Sequence, residues 1–99
     1  ITIDAKLLEI TGLQKNERVL VVNNTSGSRL ETYIIEGEYG SGCIEMNGAA
    51  AHLIHPGDEV IIMAFTLASE PFEPTTILVD EKNQFVRYLN EKQATTIDQ

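Results

Sequence analysis

The amino-acid sequence predicts a mainly β fold, a closed barrel of short strands with small helical insertions rather than layered α/β architecture. Three observations lead there. Short β-branched runs recur along the chain, as in ERVLVVN (17–23), EVIIMAFTLA (59–68) and TTILVD (75–80). Turn residues separate them, and helical patterning is confined to two brief stretches. Ninety-nine residues, 42% apolar and 22% charged, have the balance of one compact globular domain spanning 1–99.

Taken in order, ITI opens as a short strand and Asp4 is placed to N-cap a helix over 5–11. Gly12 suits the left-handed position that ends it. Residues 17–23 read as a strand buried on both faces. NTSGS (24–28) is a turn, and RLETYIIE (29–36) a second strand that completes a hairpin. GEYGSG (37–42) is a glycine-rich loop and CIEM (43–46) a short strand. NGAAAHLI (47–54) supplies one or two helical turns, and HPGD (55–58) a tight turn. Residues 59–68 form the longest strand candidate. SEPFEP (69–74) is a loop, because prolines cannot donate to a sheet ladder. TTILVD and QFVRYL flank a closing hairpin, and 90–99 read as a frayed tail.

Composition excludes several functional classes. A net charge of −8 with seven scattered basic residues argues against nucleic acid, which needs clustered Lys and Arg, and against acidic membrane surfaces. No apolar run approaches the roughly 20 residues of a membrane span, and the opening lacks a signal-peptide pattern. The single cysteine, Cys43, leaves no internal disulfide or two-cysteine zinc motif, which favours a reducing, cytoplasmic setting.

Ordinary catalytic apparatus is sparse. His52 and His55 lack a third ligand, so no metal is expected. Cys43 reads as a small packed side chain, and GEYGSG lacks the lysine of a phosphate loop. Arg29 and Tyr33 share strand parity, about 13 Å apart on one face, while Thr32 points to the other unless a bulge re-aims it. Residue by residue, Arg29 fits a solvated edge and Tyr33 a half-buried core edge. In NGAAA, Asn47 caps the helical turn, and the N–H groups of Gly48, Ala49 and Ala50 are available to a carboxylate or oxyanion. Ordinary capping without a ligand accounts for the same residues.

RLETYII, NGAAA and GDEVII, in this order and spacing, resemble the bacterial pyruvoyl-dependent aspartate 1-decarboxylases, and ITID resembles the sequence after their self-cleavage site. The resemblance runs from Ile1 to about Asp80. It implies a double-psi β-barrel, assembled as a homotetramer with active sites between subunits. It implies decarboxylation of L-aspartate to β-alanine and CO2 through a Schiff base, feeding pantothenate and coenzyme A biosynthesis. The cofactor is a serine-derived pyruvoyl group produced by autocatalytic cleavage of a zymogen. Its attachment point here would be the nitrogen of Ile1, consistent with a chain that opens without methionine. A small N-terminal chain would complete the barrel. By the same resemblance Arg29 grips a substrate carboxylate and Tyr33 is the proton donor. Thr32 and Asn47 are polar groups beside the cleavage site and substrate, and Gly48, Ala49 and Ala50 form the substrate-binding backbone segment. Because Thr32 and Tyr33 are adjacent, the resemblance demands a bulge, a strand crossing or service to two sites at a subunit interface. A non-enzymatic double-psi barrel module is the alternative.

Overall fold

The computed structural model describes residues 1–89; the expected tail at 90–99 lies outside them. The described chain is mainly β, with eight short strands, one α-helix and one 3-10 turn. Strand β1 (Thr2–Asp4) leads directly into α1 (Ala5–Thr11). Asp4 caps that helix by accepting the Lys6 N–H at 2.8 Å, and the Gly12 N–H closes it on the Leu8 carbonyl. Seven residues cannot hold a helix alone. Leu7 and Leu8 anchor it by entering the core.

β2 (Arg18–Asn23) is flanked antiparallel by β3 (Arg29–Tyr33) and β6 (Val60–Met63). Expected to be buried on both faces, it is covered on both but more deeply on one. Val19, Val21 and Asn23 are fully buried, whereas Leu20 and Val22 are partly covered. A second sheet places β1 between β4 (Ile35–Gly37), parallel to it, and β5 (Ile44–Glu45), antiparallel. The closing hairpin is β7 (Thr76–Val79) with β8 (Phe85–Leu89). One core cluster, built on Ile1, Ile3, Leu7, Leu8, Val19, Val21 and Ile34, is joined by apolar residues from all three sheets, including Ile77 and Phe85 of the hairpin.

Two expected strands are shorter than their sequence pattern. Residues 29–36 divide at Ile34. Up to Tyr33 the chain pairs with β2; from Ile35 it pairs with β1. Ile34 fills the core at the handover, its N–H donating to the Glu17 carbonyl at 3.0 Å. At the other position, pairing stops at Met63, and 64–74 run as an irregular segment, exposed from Phe65 onward. Strand propensity expresses fit to a packed pleated surface, and among the described residues none is offered to Phe65 or Leu67.

Two buried polar residues tie loops to this frame. The Asp4 carboxylate, besides capping α1, accepts the N–H groups of Gly40 and Gly42 at 2.7 and 2.8 Å. Burial pushes its pKa up, but the N–H groups of Gly42, Lys6 and Gly40 outweigh this and hold it below the ordinary carboxylate value. Gly42 also meets the hairpin so closely that a Cβ would lie 2.4 Å from the Lys82 carbonyl oxygen. Asn23 is the second tie. Its Oδ1 accepts from the Thr25 and Ser26 N–H groups, and its Nδ2 donates to the Leu53 carbonyl and the Asp58 carboxylate.

Candidate active site

A groove of about 390 Å³ lies between β3 and the 3-10 turn Gly48–His52. Leu30, Glu31 and Thr32 line one side, and Asn47, Ala49, Ala50 and Leu53 the other. Strand alternation accounts for the first wall, since Leu30 and Thr32 share the half-buried face of β3. Short side chains account for the second. Alanines leave the backbone within reach of the groove, and the leading N–H groups of a 3-10 turn have no partner within it.

Gly48 starts that turn at φ 61, a left-handed backbone that disfavours a Cβ even though the space beside it is open. Asn47 precedes it in extended conformation and, against expectation, its side chain makes no cap bond. Its Nδ2 instead donates to the Thr2 hydroxyl at 2.8 Å. The physical reason is the β1–β5 ladder, which pairs Thr2 with Glu45 and so brings the next residues of the chain beside β1. At its other end the segment is held by Asn23 through the Leu53 carbonyl.

Ile1 adjoins this assembly. It is 3% exposed. Its nitrogen donates to the Tyr33 carbonyl at 2.9 Å, and its carbonyl accepts the Ile35 N–H at 2.8 Å. The handover at Ile34 therefore brackets Ile1 between the end of β3 and the start of β4. Burial pushes the Ile1 amine below its ordinary pKa.

The structure thus gathers Thr32, Asn47, Ala49 and Ala50 on one groove, with Gly48 in the same turn. Arg29 and Tyr33 are placed differently. The β3 register runs unbroken from Arg29 to Tyr33, with no bulge to re-aim Thr32 or Tyr33. Both Arg29 and Tyr33 are on the exposed face, Tyr33 being 55% exposed. Only the Tyr33 backbone reaches Ile1. Thr2 was not among the sequence candidates, because its role comes from a contact 45 residues away. Asp4 was legible as a cap, but not as the clasp of the glycine-rich loop.

Other features offer less chemistry. A depression of about 530 Å³ beside α1, lined by residues including Glu9, Lys15 and Tyr39, gathers none of the candidates. Burial, and then the charge of Glu45, push the Cys43 thiol above its ordinary pKa, as suits a packed side chain. Among the described residues no group of three or more His, Cys, Asp or Glu side chains could hold a metal ion, and no helix is long and apolar enough to cross a membrane.

The sequence model of the family described as aspartate decarboxylase matches residues 1–86. An aspartate 1-decarboxylase from Bacillus cereus is 46% identical, the match covering 98% of this chain and 80% of the relative. Relatives of the same name from Acetivibrio thermocellus and Bacillus thuringiensis are also 46% identical, covering 93% and 98% of this chain and 76% and 80% of their own lengths. The matched span contains Ile1, both strands that bracket it, and both walls of the groove. The chain belongs to the aspartate decarboxylase family.

Proposed function

We propose that this chain is the large chain of a pyruvoyl-dependent aspartate 1-decarboxylase, converting L-aspartate to β-alanine and CO2 for pantothenate and coenzyme A biosynthesis. The observation that carries the reading is the position of Ile1. Ile1 is buried, its nitrogen is hydrogen-bonded to the Tyr33 carbonyl, and the next residue carries the hydroxyl that holds Asn47 on the groove. A charged ammonium is disfavoured there by burial, whereas a neutral acylated nitrogen keeps the same N–H···O bond. The surroundings therefore fit a serine-derived pyruvoyl group joined to Ile1. When bound, that group supplies a sink for the electron pair left by the departing carboxylate.

The chain's own residues bind, orient and return a proton. The backbone segment Gly48, Ala49 and Ala50 binds an anionic substrate group; Ala49 and Ala50 line the groove, and the leading N–H groups of the turn have no partner within it. The Asn47 amide and Thr32 hydroxyl polarise carbonyl oxygens nearby during maturation or turnover. The planar fork of Arg29 grips a substrate carboxylate. The Tyr33 hydroxyl delivers its proton to the carbon that has lost the carboxylate.

Because Arg29 and Tyr33 face away from the Thr32 groove, the reading includes a homotetramer in which these faces meet across subunits. Exposed apolar side chains at Phe65, Leu67 and Phe72 support such burial. It further includes a small N-terminal chain and completion of a double-psi β-barrel, supported by the parallel β1–β4 pair within a mainly β chain. A cytoplasmic setting accords with the single, unpaired cysteine.

Mass spectrometry tests the cofactor reading. The chain should carry a carbonyl-bearing residue before Ile1 that gains two hydrogens on borohydride treatment. Incubation with L-aspartate labelled at carbon 1 should release labelled CO2. A free amine at Ile1 in the purified protein, with no CO2 release, returns the chain to a non-enzymatic barrel module.

A further inference from the structure

The polar wall of the groove depends on a residue outside the candidate set. Asn47 is exposed and makes no cap bond, so an untethered amide there would sample several rotamers. Among the described residues its one side-chain hydrogen bond is to Thr2 Oγ1, at 2.8 Å. Thr2 is itself immobilised. Its backbone is paired on both sides, with Ile35 of β4 and Glu45 of β5, and its neighbours Ile1 and Ile3 are each 3% exposed. Its Cγ2 packs over Gly37, where an added Cβ would meet it at 3.1 Å. A β-branched side chain is also stiff at χ1. Thr2 is a rigid peg, and the Asn47 side chain hangs on it.

We infer that Thr2 is a positioning residue: its hydroxyl orients the Asn47 amide and ties it to the strand that carries Ile1. With one Nδ2 hydrogen given to Thr2, the other hydrogen and Oδ1 remain available to the reacting molecule. Because Thr2 follows Ile1 directly, this contact also sets where the amide stands relative to the Ile1 nitrogen. A valine would fill the same space without the acceptor, whereas serine would keep the acceptor without the branch.

The inference rests on the decarboxylase reading of this groove, and its test separates the two. Cleaved wild-type enzyme is compared with Thr2→Val, Thr2→Ser, Asn47→Ala and the Thr2→Val/Asn47→Ala double variant, measuring β-alanine production. Thr2→Val should lower kcat by about three- to tenfold, the effect of one orienting hydrogen bond. Thr2→Ser should recover most of that loss, and Thr2→Val should add nothing when Asn47 is already Ala. A second readout is independent of activity. In ¹⁵N-labelled protein the Asn47 side-chain amide proton bonded to Thr2 should exchange more slowly in wild type and Thr2→Ser than in Thr2→Val. Unchanged kcat in Thr2→Val, an equal further loss in the Asn47→Ala background, or unchanged amide exchange would each overturn the role of Thr2. Absence of β-alanine from wild type would instead overturn the decarboxylase reading, and the exchange measurement would still decide whether Thr2 holds Asn47.

Discussion

The two faces of β3 meet different surroundings. On the inward face, Leu30 and Thr32 border a groove whose far wall is tied at both ends, at Asn47 by Thr2 and at Leu53 by Asn23. On the outward face, Arg29, Glu31 and Tyr33 stand exposed. Among the described residues their one ion pair joins Glu31 to Arg18, and Arg29 has none. That pair is exposed on both sides and contributes little to stability. The difference teaches how this chain divides its chemistry. The Asn47 amide is held by an internal bond to Thr2, while the Arg29 guanidinium and the Tyr33 phenol are on the exposed face of their strand.

Breaking the outward face should affect turnover before anything else. Tyr33→Phe removes a hydroxyl with no hydrogen-bond partner among the described residues, so folding and cleavage should persist while turnover falls by about 10²–10⁴-fold, typical for loss of a general acid. CO2 release and chain mass measured on one preparation would check both halves. Thr32→Val alters the inward face and should leave uncleaved precursor, seen as one longer band. If the two variants exchanged these phenotypes, the division between faces would be wrong.

Arg29→Ala should raise KM by about 10–100-fold, reflecting a charge-assisted contact, and leave the mass of the cleaved chain unchanged. Steady-state kinetics at several aspartate concentrations decide this; an unaltered KM makes Arg29 a solvated edge residue.

Asp4→Asn probes the frame rather than either face. It replaces one acceptor oxygen with a donor opposite the Gly40 and Gly42 N–H groups and should cost about 1–3 kcal/mol at neutral pH. The folded Asp4 pKa is depressed, so its contribution is complete above the ordinary carboxylate value of 3.8 and is lost as pH falls through the lowered folded value. Thermal unfolding of both proteins should therefore converge with acidification. A gap that stays constant would separate the clasp from the charge of Asp4.

The smallest effect is expected at Gly48→Ala. Space is open for the methyl group, so the cost is that of a non-glycine residue at φ 61, about 1 kcal/mol. Stability should fall by that amount with a modest loss of substrate affinity, since the groove wall must shift to relieve it. Unchanged stability would mean that the turn adapts freely.

Much of the chain was legible because its signals are local. The cap at Asp4, the stop at Gly12, the closing hairpin around residues 80–84 and the parity of Arg29 and Tyr33 rest on relations within a few residues, where propensity, turn chemistry and strand period act directly. The tertiary structure decided what depends on distant partners. The same apolar pattern continues through Ile34 and past Met63, yet pairing changes at the first and stops at the second, because a strand lasts only as far as its neighbour. Asn47 had the composition of a cap but bonds to Thr2, 45 residues away, and Asp4 reaches 38 residues forward to Gly42. The bond between the Ile1 nitrogen and the Tyr33 carbonyl likewise spans 32 residues. Local pattern set which groups the chain carries and which face of a strand they take; long-range hydrogen bonding decided which of them meet.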